Sequence, residues 1–242
     1  MSLKNKVGRP SVDPAYKIAT RVWFKVVSEM TGMTDSQLDV TFGNSEGGKK
    51  RTPKNRSGIW GKYKDGLICP RFKPDINGNP SIVEKVDKVL PGSAELMNMP
   101  FWLVLGKKNM DLSELREVYL SLSEEVQELI LMPKLRPPKV TKFWRRPIKC
   151  VELFDALYEI GDFDAITAVL ALIKEGEATQ NQELYLQGLK NWGRFAEIMH
   201  DDKIMGPVLP EINAIVEKKY SGMYFAFENG EYRPSIEDLE NI

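Results

Sequence analysis

Histidine and cysteine are nearly missing from this chain: one His and two Cys occur in 242 residues. Cys69 and Cys150 lie far apart, form no CxxC, and have no histidine beside them, which excludes zinc-finger spacing and a disulfide framework. Two free thiols in a reducing compartment are the expectation. A single histidine, His200, leaves little room for His-based acid–base chemistry. Long apolar runs are also lacking. The longest helical one, Ala165 to Ile173, falls short of the roughly 18 residues a bilayer span needs. The opening residues, Met1-Ser2-Leu3-Lys4-Asn5-Lys6, lead into no apolar stretch, so no signal peptide is expected. Together these absences place the chain in the cytoplasm, with no membrane contact.

Net charge is absent too, but only in the sum. Residues 1–75 carry 15 Lys/Arg against 7 Asp/Glu, a balance of +8; residues 76–150 stand at +3 and residues 151–242 at −11. A basic front can meet phosphates, whereas an acidic back repels them. The plainer alternative is that the two halves attract one another inside one fold.

What is present is an ordinary globular composition, 42% hydrophobic and 28% charged, in a chain long enough for a sizeable core. Its pattern predicts a mainly α protein. Residues 1–14 read as a basic arm broken by Gly8, Pro10 and Pro14; Val7-Gly8-Arg9-Pro10 resembles part of a minor-groove AT-hook, or the arm docks on the protein itself. Ile18, Val22, Val26 and Val27, with Trp23 and Phe24, predict a helix from Tyr16 to Met30, with Gly32 as its stop. Thr34 with Gln37 three residues on is a capping-box pattern for a helix from Asp35 to Phe42. Short helices are expected over Ser57–Lys64 and Ile82–Leu90. Ala94 to Leu105 is helical or irregular with Trp102 buried, and one long amphipathic helix is expected from Leu112 to Met132. Pro133 to Lys139 reads as a stiff linker. Helices at about 143–160, 163–175 and 178–200 follow, then one from Pro210 to Tyr220 and a short strand or docking segment beyond Gly222. The expected partition is a basic module (1–105), a connecting helix and Pro-rich linker (106–140), and an acidic helical bundle (141–242).

Thr34-Asp35-Ser36-Gln37-Leu38, then Ser57-Gly58-Ile59-Trp60-Gly61-Lys62-Tyr63-Lys64, Asp65-Gly66, Pro70 and the Ile82–Leu90 helix stand in a telling order. Residues 16–90 resemble the phage-repressor (XRE) type of helix-turn-helix domain. That resemblance implies a recognition helix near Trp60 that enters the DNA major groove by its first residues. Gly43 to Arg56, between the two helices, is longer than the family's short turn and is the most basic stretch of the chain. Lys49, Lys50, Arg51, Lys54 and Arg56 fall there with no acid among them, and each can neutralise a phosphate. Asn55 and Arg56 can read base edges, and Ser57 and Lys62 complete the candidate nucleic-acid-binding set. A solvated basic loop is the ordinary alternative.

Other constellations are weaker. Gly43-Asn44-Ser45-Glu46-Gly47-Gly48-Lys49-Lys50 nearly matches a phosphate-binding loop but ends in Lys50, which offers no hydroxyl for Mg²⁺. Asp75-Ile76-Asn77-Gly78-Asn79 opens like a calcium loop, yet Pro80 and Val86 stand where Gly and Glu are needed. His200-Asp201-Asp202 offers poor chelation, and His200 fits a helix C-terminus better. Glu152, Asp155, Glu159, Asp162 and Asp164 can be a solvated acidic face or paired carboxylates. Lys142-Phe143-Trp144-Arg145-Arg146 mixes base-stacking aromatics with cations, or is buried against later helices. The stripe Leu184, Leu189, Trp192, Phe195, Ile198 and Met199 is bundle core or a dimer face.

The expectation is therefore a DNA-binding regulatory protein, with double-stranded DNA as its first partner and a homodimer or protein partner for the acidic bundle. No catalytic set, metal or cofactor is expected. The rival class is a non-enzymatic interaction subunit or antagonist that meets an acidic protein patch with its basic face.

Overall fold

Asp13 starts the first helix by accepting a hydrogen bond from the Ala15 amide (2.8 Å) ahead of Pro14, whose fixed φ suits the first helical position. This is a computed structural model, and it describes residues 13–43, 57–72, 74–132, 146, 148–220 and the backbone of 226–228 and 231–233. The chain divides into two compact units, residues 1–98 and 99–242, and both are mainly helical.

In the first unit α1 spans Pro14–Thr31 and ends at Gly32, whose φ of +63° closes the helix in the left-handed region. Its apolar face buries Ile18, Val22, Trp23, Val26 and Val27, the stripe that its spacing predicts. The helix α2 spans Asp35–Phe42 and opens with the expected capping box: Thr34 and Gln37 each satisfy the other's backbone N–H. The helix α3, Ile59–Lys64, packs on both α1 and α2. Ser81 and Glu84 make a second capping box for α4 (Ile82–Asp87), and α5 (Ser93–Asn98) packs on α1. The core is aromatic. Trp23 and Trp60 stack at 5.3 Å, and Phe24, Phe42 and Tyr63 close around Trp60 at 5.8–6.2 Å.

The second unit begins with α6 (Pro100–Gly106), in which Phe101 and Trp102 are fully buried. The single long helix expected over 112–132 is two helices, α7 (Leu112–Leu120) and α8 (Glu124–Ile130). The break at Ser121–Ser123 is satisfied from outside the helix. The Ser123 amide donates to an Asp164 carboxylate oxygen (2.7 Å), and the Gln127 side chain donates to the Leu122 carbonyl (2.7 Å). The expected helix start at 143 also moves. Arg146 is non-helical, because its amide donates to the Ile130 carbonyl (2.8 Å) and its guanidinium to the Glu128 carbonyl (2.6 Å); α9 begins at Cys150 and runs to Ile160.

The helix α10, Phe163–Thr179, is the centre of the second unit, with every residue from Ala165 to Gly176 buried. It packs on α6, α7, α9 and α11. The helix α11 (Gln182–Asp201) buries Leu184, Trp192, Phe195 and Met199 of the expected stripe in the core, and Leu189 and Ile198 are half-buried. The two long helices approach closely through glycine: a Cβ on Gly176 would lie 2.6 Å from the Tyr185 amide nitrogen, and one on Gly188 2.5 Å from Ile173. A 3-10 turn at Gly206–Val208 leads to α12 (Leu209–Tyr220), and β1 (Ala226–Glu228) pairs antiparallel with β2 (Glu231–Arg233). The expected three-part division therefore gives way to two units. The boundary falls before α6, and α7 and α8 pack on α10 and α9 instead of bridging two modules. The Pro-rich stretch 133–139 lies outside the described residues. Among those residues, no helix is long and apolar enough to cross a membrane.

Candidate nucleic-acid interface

One buried side chain in the first unit holds the chain where it returns to α3. Asp39 sits in the middle of α2 and is 1% exposed. Its backbone carbonyl accepts from the Gly43 amide (3.1 Å), where the basic segment leaves α2. Its carboxylate accepts from the Ser57 hydroxyl (2.6 Å) and the Gly58 amide (3.1 Å), where the chain returns. A buried carboxylate is tolerated only when donors surround it, and here the donors are one hydroxyl and one backbone amide of the returning chain. Gly58 holds φ +65°, a conformation that a side chain would strain, and so turns the chain directly into α3.

Spacing then sorts the residues of α3. Trp60 (0% exposed) and Tyr63 (3% exposed), three apart, face the aromatic core, which leaves Lys62 and Lys64 exposed. Burial pushes the Tyr63 hydroxyl up to about 12, so it stays neutral at any physiological pH. The Cys69 thiol is raised by burial as well, and it donates to the Tyr16 carbonyl at 3.3 Å.

Of the candidate set, Lys49, Lys50, Arg51, Lys54, Asn55 and Arg56 lie outside the described residues. Ser57 is exposed and donates its hydroxyl proton to Asp39. Lys62 is exposed, as a phosphate contact requires. Trp60, at the centre of the supposed recognition helix, has both faces occupied by the core and offers nothing to a base. Two residues escaped the sequence reading. Lys64 could have been found from the three-residue spacing of Trp60 and Tyr63. Asp39 had one signal, an acid placed beside Leu38 and one turn before Phe42, on the side of α2 that is otherwise apolar.

Several residues of the remaining constellations have structural occupations. Asp75 spends its carboxylate on its own turn, accepting from the amides of Asn77 and Asn79 (2.9 Å each) and from the Asn79 side chain (2.8 Å); these bonds hold its carboxyl below the usual range. Asp155 pairs with Arg194 (2.7 Å), whose guanidinium lies over the Tyr158 ring at 4.1 Å. Glu152 pairs with Lys149 (3.4 Å), and Asp162 caps α10 by accepting from the Ala165 amide (2.8 Å). Cys150 is buried in α9. His200 is in the last turn of α11, exposed, with Nδ1 3.2 Å from Asp201. Among the described residues no three His, Cys, Asp or Glu side chains gather as a metal site. The phosphate-loop-like stretch after Gly43 and the aromatic–cation run Lys142 to Arg145 lie outside the described residues. No protein-family model matches this chain, and no curated protein or solved structure matches it either.

Proposed function

We propose that the first unit binds nucleic acid, double-stranded DNA first, through the cations of residues 49–56 together with Lys62 and Lys64. One observation supports this above the others: the buried Asp39 carboxylate holds Ser57 and Gly58, where the chain comes back from the basic segment, and leads it directly into α3 with its exposed Lys62 and Lys64. A segment tethered at both ends loses less conformational freedom on binding than a free arm does. With Trp60 buried in the core, the contact proposed is one of lysine and arginine charge. Phosphate neutralisation is then the main source of affinity and base contact from Asn55 and Arg56 the smaller one. The second unit, with its acidic sequence, is kept for a protein partner or a second copy.

The test is fluorescence anisotropy of labelled duplex DNA, single-stranded DNA and RNA at about 50 and about 200 mM salt. Binding that weakens steeply with salt and disappears on Lys49/Lys50/Arg51→Ala supports the proposal and ranks the three nucleic acids. Absence of binding to all three at the lower salt overturns it in favour of an acidic protein partner.

A further inference from the structure

In the second unit two ammonium groups compete for one helix end. The helix α6 stops at Gly106, and its last carbonyls need donors. Lys219, near the end of α12, donates to the carbonyls of Leu105, Gly106 (2.6 Å) and Lys107 (3.1 Å). Lys174, 2% exposed on α10, donates to the carbonyls of Lys107 (2.7 Å) and Lys108 (3.1 Å). Both ammonium groups touch the Lys107 oxygen, so they stand within about 6 Å of one another, where like charges repel appreciably at the effective dielectric of a protein. The Tyr220 ring, 5.8 Å from Lys174 Nζ, walls off the site.

We propose that the seating of α12 on α6 is a pH-sensitive clasp, in which release of one proton from the lysine pair removes the repulsion and tightens the grip. The proton comes from Lys174. Neutral Lys174 can still donate to both carbonyls, so it loses the repulsion and keeps its hydrogen bonds. Burial first, then the charge of Lys219, lowers this ammonium to about 8; Glu177 works the other way and Lys107 adds to the lowering. Other charged and titratable groups stand around the site. Lys107 is itself paired with Glu114 of α7. Glu175, next to Lys174 on α10, accepts from the Tyr119 hydroxyl of α7 (3.0 Å). From α11, Tyr185 meets Tyr220 edge-on at 6.0 Å, and burial raises both hydroxyls, so neither ionises near pH 8.

The experiment uses the full chain. Amide hydrogen exchange of α12, corrected for the intrinsic pH dependence, is compared with that of α11 at about pH 6.5 and 9.5, and the lysine ε-carbon resonances are titrated in parallel. Protection of α12 is expected to rise roughly tenfold or more across that interval, with one lysine titrating near 8, since each unit of pKa difference is worth a factor of ten. Lys174→Met should abolish the rise. Should that variant fail to fold, Lys219→Gln keeps the buried amine, removes the repulsion, and should move the titration upward. A Lys174 resonance that titrates near 10 in the native chain, or an unchanged α12 response in either variant, overturns the clasp.

Discussion

In the first unit a carboxylate is buried where a returning chain has to be held; in the second an ammonium is buried where a helix has to stop. Asp39 gathers N–H and O–H donors from residues that return from a long excursion. Lys174 gathers carbonyls at a helix C-terminus, the end that carries partial negative charge. The signs differ because the orphaned backbone groups differ: returning chains offer amides, whereas finished helices offer carbonyls. The packing differs too. An aromatic cluster centred on Trp60 fills the first unit, whereas the second closes around one helix so tightly that Gly176 and Gly188 have no room for a Cβ.

Substitutions that break each arrangement in turn sharpen this contrast. The largest effect is expected from Trp60→Ala, about 4 kcal/mol by urea unfolding, because the removed indole leaves a cavity among four aromatic rings. Next comes Gly176→Val, about 3 kcal/mol, because its new side chain meets the Tyr185 backbone, which cannot swing aside as a side chain could. Asp39→Asn should cost about 2 kcal/mol, since the new amide puts a donor against the Gly58 N–H or the Ser57 hydroxyl. It should also weaken duplex binding in the anisotropy assay even though it makes the unit more basic. Unchanged or tighter binding would show that charge alone matters and that the tie at Asp39 does not.

Stability against pH separates the buried charges further. Lys174 titrates near 8 when folded and near 10.4 when unfolded, so the unfolded chain binds the extra proton in between and stability rises with pH across that window, by about 3 kcal/mol. Tyr63 and Tyr185 act in the opposite sense. Their hydroxyls are held up to about 12, so their contribution is intact below about 10 and is lost as pH climbs from 10 to 12. Chemical denaturation from pH 7 to 11 should therefore give a maximum near 10, and Lys174→Met should flatten its rising side only. The smallest effect is expected from Lys62→Ala with Lys64→Ala: stability within about 0.5 kcal/mol, and a salt slope of DNA binding shallower by about one per lysine lost.

The sequence carried local information well. Thr34 and Gln37 placed α2 to the residue, and the period of Ile18, Val22 and Val26 placed α1 and its buried face. It failed where a distant residue decides. Leu122 and Val126 continue the apolar period of α7 and outweigh the one local sign of a break, Ser123 ahead of Glu124 and Glu125; Asp164 stabilises that break from 41 positions away. Lys174 follows an apolar run and reads like a helix leaving the core, because its carbonyl partners belong to another helix. Asp39 and Ser57 are ordinary polar residues until the chain returns and brings them together. The cations of residues 49–56 remain legible as composition alone.

The tie at Asp39 has a consequence for how this protein can change over time. The segment leaves at the end of α2 and its return is held at Ser57 and Gly58 by a residue of that same helix, so these contacts leave the length between them free to vary. Closing a longer segment costs little, about 0.6 kcal/mol for each doubling. Insertions, deletions and wholesale exchange of residues 44–56 can therefore accumulate while Trp60 and its neighbours stay as they are. The first unit is built as a chassis whose intervening segment can be replaced.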